Sequence, residues 1–405
     1  LGVLTWQQAG MYRDMETLWR ATLAKNAVAT LAHISLGNLL YAQGRAAEAV
    51  GHFEDALRVQ PDSVDAHSNL GAALLNLGRL DEAIAHLRRA IAIQPTAANA
   101  HNNLGNALLQ AGKVDEAVVE FEKTVEFAPG APGGHYNLGT VLLQAGRAHE
   151  AIASLQRELE LQPNSAEACC RLGEALLQDG RPDEAAVLLQ KAVQLRPDLV
   201  EAHFNLAGVL LQKGNSIAAI DALQKTLALQ PNFAAARNNL GSVLLSFGRV
   251  DEAISQLNAA LKIQPDFAEA HNNLANALFQ QGRPTDAVLE YETALRAQPK
   301  NPQLMNNLAW ALATCPEDSV RNAKRGIELA QEADRLSGGN NPQIVGTLAA
   351  AWAEAGKFPE AVAAAERALH LATAQNNTTQ VKALQTRLAL YRNKKPFRDE
   401  ELRRR

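Results

Sequence analysis

Residues 98–131 read ANAHNNLGNALLQAGKVDEAVVEFEKTVEFAPGA, and this stretch decides the fold. Its first half predicts a helix from about Asn99 to Ala111, closed by Gly112, which adopts a left-handed cap at little cost. A second helix is expected to start near Asp115, a good N-cap residue, and to stop before Pro129, which lacks the N–H that a further turn needs. Leu104 and Leu108 share one face of the first helix. Small residues at Gly105 and Ala117 let the two backbones approach closely. The stretch is therefore a helical hairpin with helix A followed by helix B.

The same grammar recurs outward at a constant interval, the one that separates Pro95 from Pro129. Proline returns at Pro61, Pro95, Pro129, Pro163, Pro197, Pro231, Pro265 and Pro299, and glycine at Gly44, Gly78, Gly112, Gly146, Gly180, Gly214, Gly248 and Gly282. A helical hairpin cannot bury its apolar face alone, so such a series implies an all-α solenoid of stacked hairpins. Regular repeats are expected over 30–301. Residues 1–29 read as a truncated first hairpin with Met15 to Lys25 as its helix B, and Leu18, Trp19 and Leu23 as exposed apolar surface. Over 302–375 come two divergent repeats. The first carries an insert through Cys315, Pro316 and Asp318 and then a helix from about Ser319 to Leu336. Last, over 376–405, Val381, Leu384, Leu388 and Tyr391 predict a capping helix with Asn377 as N-cap, followed by a basic tail.

Gly105, Gly112, Ala117, Phe121, Thr124 and Pro129 together resemble the tetratricopeptide repeat, with leucine or histidine replacing the usual aromatics. The resemblance implies a right-handed superhelix that binds proteins on its concave side.

Composition excludes several functions. With 39 Lys and Arg against 43 Asp and Glu, the formal charge is -4, which gives no global attraction to nucleic acid. Cys169, Cys170 and Cys315 show no CxxC spacing, so neither a disulfide framework nor a zinc ribbon is suggested. No apolar run approaches the roughly 20 residues that span a bilayer. His149-Glu150 lacks the second histidine of a zincin, and Gly130, Gly133 and Gly134 read as a loose joint rather than a phosphate loop. No active site, cofactor or metal is expected.

The informative surface is polar. At 100° per residue Asn99, Asn103, Asn106 and Gln110 fall on one stripe, opposite Leu104 and Leu108. One stripe position holds Asn69, Asn103, Asn137, Asn205, Asn239, Asn273 and Asn307, and Asn276 matches Asn106. A carboxamide offers two donors and an acceptor, so such a row can hold the main chain of an extended peptide. It can equally bond to neighbouring helices and fix the stack in register, and the two uses are compatible. The row is similar to the asparagine ladder of the O-linked N-acetylglucosamine transferase superhelix, which contacts bound polypeptide. Glu167, Arg171 and Glu174 replace the amides in one repeat and form either a specificity notch or an intrahelical ion pair. His33, His67, His101, His135, His203 and His271 share one repeat position. They are assigned to packing, because rings from helices about 8–10 Å apart make a poor metal ladder. The row Arg45, Arg79, Lys113, Arg147, Arg181, Arg249 and Arg283 is expected to complement helix C-terminal carbonyls.

A non-catalytic scaffold for an extended or helical protein segment follows as the first functional expectation. A second comes from the ends. Leu4-Thr5-Trp6 and Trp310 through Pro316 resemble bacterial multipass O-mannosyltransferase-like membrane proteins with tetratricopeptide tails, which implies an extracytoplasmic tail. The start at Leu1, without an initiator methionine, is read as a fragment or a processed form. A self-assembling solenoid is the third, and the compartment stays open between the cytoplasm and the extracytoplasmic side.

Overall fold

The structure, a computed structural model, describes residues 15–399; the readings on Leu1 to Trp6, on Gly10 and on the residues after Asp399 lie outside them. Among the described residues there are 22 α-helices and no strand. The chain forms two compact units, Leu1–Lys213 and Gly214–Arg405.

In the first unit, α1 (Met15–Lys25) precedes the A/B hairpins α2 and α3 (Thr30–Ala42, Ala46–Val59), α4 and α5 (Val64–Asn76, Leu80–Ile93), and α6 and α7 (Ala98–Gln110, Val114–Phe127). Then follow α8 and α9 (Gly134–Gln144, Ala148–Leu161), α10 and α11 (Ala166–Gln178, Pro182–Leu195) and the A helix α12 (Val200–Gln212). The second unit begins with the B helix α13 (Ser216–Leu229). It continues with the pairs α14 and α15 (Ala234–Ser246, Val250–Ile263), α16 and α17 (Ala268–Gln280, Pro284–Ala297) and α18 and α19 (Pro302–Thr314, Ala323–Leu336). The pair α20 and α21 (Pro342–Glu354, Phe358–Ala374) and the terminal α22 (Thr378–Arg392) complete it.

Each hairpin turn is a backbone device. Gly112 stands at φ 73°, and the Gly112 and Lys113 N–H groups donate to the carbonyls of Leu109 and Leu108 at 3.0 and 2.9 Å, satisfying the end of α6. Because the main chain does this, the basic side chains are free for another task, and here the structure corrects the expectation. Arg79, Arg147, Arg181 and Arg249 each pair through Nε and Nη2 with the glutamate three residues on (Glu82, Glu150, Glu184, Glu252), at 2.6–2.8 Å. Lys113 is the residue at the start of α7, and Asp115 lies inside the first turn rather than capping it.

Packing within a hairpin rests on a glycine facing a large residue. A Cβ at Gly105 would stand 2.8 Å from the Phe121 ring, and one at Gly71 would stand 2.5 Å from Leu87 Cγ. Phe121 and Leu87 are fully buried. Consecutive A helices also touch directly, α2 with α4, α4 with α6, α8 with α10 and α10 with α12 in the first unit, α14 with α16 and α18 with α20 in the second. Within each unit these A helices therefore share one side.

Three further expectations change. The joint at Gly130 to Gly134 is not loose: buried Glu158 on α9 accepts the Gly133 and Tyr136 N–H groups at 3.1 and 3.2 Å, holding the start of α8. Trp19 and Leu23 are half-buried against the cluster of Leu36 and Leu40 rather than exposed. The helix expected from Ser319 begins at Ala323, because Asn322 caps the Arg325 N–H at 3.0 Å and Arg321 is held in the preceding loop. The capping helix lies where the stripe put it, with Leu384, Leu388 and Tyr391 buried and Asn377 accepting from the Gln380 N–H. No helix among the described residues is long and apolar enough to cross a membrane.

The histidine row closes the junction between hairpins. Nε2 of His67, His101, His203 and His271 lies 2.8–3.0 Å from the carbonyl of Pro61, Pro95, Pro197 and Pro265, and Arg237 Nε donates to Pro231 in the same register. Burial lowers the basicity of His67 and His86 below the usual imidazole value, with His67 also opposing a charge on His86. The unfolded chain then binds protons near pH 6.5 that the folded chain refuses, so stability falls as pH drops through and below that value. A lower Tm at pH 5.5 than at pH 7.5 is expected, with the difference reduced in His86→Gln.

Candidate peptide-binding face

The asparagine row occupies the shared side of the A helices, half-buried at every position. Most of its carboxamides reach back one repeat. Asn69 Nδ2 donates to Asn38 Oδ1 at 2.8 Å, Asn137 to Asn102 Oδ1 at 2.8 Å and Asn103 to the Ser68 carbonyl at 3.5 Å. Asn205 contacts Cys170 Sγ at 3.8 Å. In the second unit Asn273 donates to Asn238 Oδ1 at 2.9 Å and Asn307 to Asn272 Oδ1 at 2.8 Å. Asn239 Oδ1 accepts from its neighbour Asn238, Asn276 Oδ1 accepts from the Tyr291 hydroxyl at 2.5 Å, and Asn106 is half-buried on the same stripe. A primary amide has two N–H groups and an oxygen, so one stitch orients it and leaves capacity on the accessible edge.

The row ends at a defect. The step from Ala268 to Pro302, the starts of α16 and α18, keeps the regular period, whereas the step from Pro302 to Pro342 is longer because the insert intervenes. Thr347 takes the ladder position and turns its hydroxyl to the Gln343 carbonyl at 3.2 Å. The acceptor that the next asparagine would have filled, Asn306 Oδ1, is buried and has no hydrogen-bond partner among the described residues. Asn306 is also one of the residues that line a cavity of about 760 Å³, together with Asn276, Asn307, Trp310, Gln343 and Arg387.

Across this cavity the chain lays its own tail. The Asp399 N–H donates to the Thr314 carbonyl, and Trp310 Nε1 donates to Asp399 Oδ2, each at 3.0 Å. The Phe397 and Trp310 rings are 5.8 Å apart, and the Arg387 guanidinium lies 4.4 Å over Trp310 and 5.1 Å over Phe397. Burial lowers the basicity of Arg387, and the ring faces compensate part of its lost hydration. The sequence reading missed these residues, although Trp310 was findable: it is an aromatic in the register of Asn106 and Asn276. Phe397 and Asp399 carry no periodic signal.

At the notch, Arg171 pairs with Glu174 at 2.8 Å as an intrahelical pair, while Glu167 pairs with Arg196, the C-cap residue that follows α11, instead. Burial pushes the Cys170 thiol up to about 11, which leaves little thiolate at neutral pH.

Among solved structures, YrrB, described as a tetratricopeptide repeat protein with an unusual peptide-binding site, is 28% identical over 45% of this chain and 95% of its own, with a TM-score of 0.41. PilF of Pseudomonas aeruginosa is 22% identical over 51% of this chain and 94% of its own, with a TM-score of 0.46. The Cut9–Hcn1 complex shares the fold over 96% of this chain and 94% of its own at 12% identity and a TM-score of 0.55. No curated protein sequence matches. Tetratricopeptide repeat profiles match residues 8–54, 34–98, 78–137, 136–200, 170–232, 204–266, 238–302, 272–314 and 342–367. Matches over that much of its length mean that the chain belongs to the tetratricopeptide repeat family.

Proposed function

We propose that this protein is a non-catalytic scaffold that takes an extended polypeptide along its A helices, with the cavity beside α18 as the anchor in the second unit. Repeat proteins of this family are typically protein-interaction scaffolds. The observation that carries the finer reading is the docked tail. Trp310 and Thr314 occupy the stripe registers of Asn106 and Gln110, and a non-helical segment of the chain itself is bonded to both. A guest running the same way gains a main-chain bond at Thr314 and an aromatic contact with Trp310. Asn69, Asn103, Asn106, Asn137 and Asn205 in the first unit, and Asn239, Asn273, Asn276 and Asn307 in the second, offer their remaining amide valences to such a guest. The pairs formed by Glu167, Arg171 and Glu174 add charge selectivity beside them.

The test uses the intact chain with Phe397→Ser and Asp399→Ala, which removes the ring and the carboxylate that hold the tail. A peptide carrying Phe-Arg-Asp is expected to bind this variant more tightly than the unaltered chain. Trp310→Ala in the released background should weaken binding about tenfold. Equal affinity with and without Trp310 would remove the cavity from the mechanism.

A further inference from the structure

We propose that His33, His52 and Asp55 form a binding site for a divalent transition metal ion of the zinc class, bridging α2 and α3, the first complete hairpin. Metal sharing looked unfavourable for histidines repeated along the stack. The structure joins a different pair: His33 on α2 and His52 on α3 point inward from facing helices, with their Nδ1 atoms 3.2 Å apart. Asp55 Oδ2 lies 3.8 Å from His33 Nδ1, and one ligand atom from each of the three residues falls within 4.8 Å of the others. Ligands about 2.0–2.1 Å from one tetrahedral zinc are about 3.3 Å apart, which these separations bracket.

The surroundings suit ligation. His33 Nε2 lies 3.0 Å from the Ala27 carbonyl, so the proton sits on Nε2 and the Nδ1 lone pair faces His52, the usual second contact of a metal-bound imidazole. Asp55 gives its other oxygen, Oδ1, to Arg58 at 2.6 Å, leaving Oδ2 directed at the histidines. His52 and Asp55 are three residues apart on one helix and His33 faces them, a spacing used by metal sites between packed helices. Two imidazoles and a carboxylate are a borderline donor set, which favours zinc over magnesium or calcium.

The other repeats supply a comparison inside the same molecule. His67 and His86 reproduce the pair, with Nδ1 atoms 3.0 Å apart and His67 Nε2 on the Pro61 carbonyl. At the register of Asp55, however, stand Arg89, Lys123, Arg157, Lys191 and Lys225, and then the neutral Ala259 and Thr293. A cation there repels a metal, and Arg89 is itself paired with Asp62 at 2.7 Å. Only the first hairpin exchanges this cation for a carboxylate, and it does so beside two histidines. Hydrogen bonding across the hairpin explains the pair in both repeats, but it does not call for the third ligand.

Titration of the intact, metal-stripped chain with zinc, read by calorimetry, and with cobalt, read by visible d–d absorption, tests this. One equivalent is expected to bind. Asp55→Arg, which copies the residue that the second hairpin already tolerates, should weaken uptake at least about 100-fold, beyond the range for a lost second contact. His86→Ala should leave it unchanged, and Arg89→Asp should raise the stoichiometry toward two. Absence of uptake by the unaltered chain, or uptake that Asp55→Arg leaves intact, would overturn the proposal.

Discussion

Phe121→Ala is expected to destabilise the first unit by about 3–5 kcal/mol, measured by urea unfolding and by loss of amide protection in α6 to α9. The ring is fully buried and fills the space that Gly105 leaves on the facing helix. Truncation removes the apolar area and opens a cavity that the glycine cannot fill from its side. Both helices of the hairpin are anchored by contacts to the hairpins on either side, so collapse into the void is limited. Phe121→Leu behaves differently. The neighbouring hairpins already pair Gly71 with Leu87 and Gly139 with Leu155, so a leucine has a tested seat there, and a cost under about 1.5 kcal/mol is expected. Because a repeat array transmits stability mainly between neighbours, the loss should be largest at the substituted hairpin and fade with distance from it. A uniform loss of protection over both units would contradict that picture.

The parts of this architecture that the sequence made legible are those decided by local chemistry. Gly112 and Pro129 mark helix ends through their own backbone limits, and Leu104 with Leu108 mark the buried face through helical spacing alone. The polar stripe was readable for the same reason. What Asn103 or Asn137 bonds to was not, since the partner lies in the preceding repeat and depends on how far one A helix is rotated against the next. The basic row was misread because the hairpin turn satisfies its carbonyls with main-chain N–H groups, leaving Arg79 and its equivalents to pair with Glu82 and its equivalents. Glu158 carries no signal in the sequence that sets it apart, yet it reaches across a hairpin to the turn at Gly133. The pairing of His33 with His52, which sit on different helices, emerges only once the two helices have a defined crossing. The docked tail has no period at all.

Arg321→Ala is expected to cost about 3 kcal/mol and to disturb peptide binding in the second unit, because this guanidinium organises the one insert in the repeat series. Its side chain is 12% exposed and its partner Glu354 13%, at 2.8 Å. The same group donates to the carbonyls of Cys315 and Pro316 at 2.9 and 3.0 Å and pairs with Asp318. Removing it takes the guanidinium bond away from two carbonyls, and leaves Glu354 paired with Arg398 at 2.6 Å. Arg398 lies in the tail segment that crosses the cavity, so the loop, the end of α20 and the docked tail share one carboxylate. Arg321→Lys separates charge from geometry: an ammonium can face Glu354, but it cannot bond two carbonyls and two carboxylates in one plane. It should recover less than half of the lost stability. Restoration to the unaltered value by lysine would mean that charge alone holds the insert. The insert lengthens the step between the A helices that start at Pro302 and Pro342, which deprives Asn306 of a ladder partner. A loosened loop lets α18 and α20 shift, so Arg321→Ala should lower affinity for the Phe-Arg-Asp peptide in the tail-released background even though Arg321 does not line the cavity.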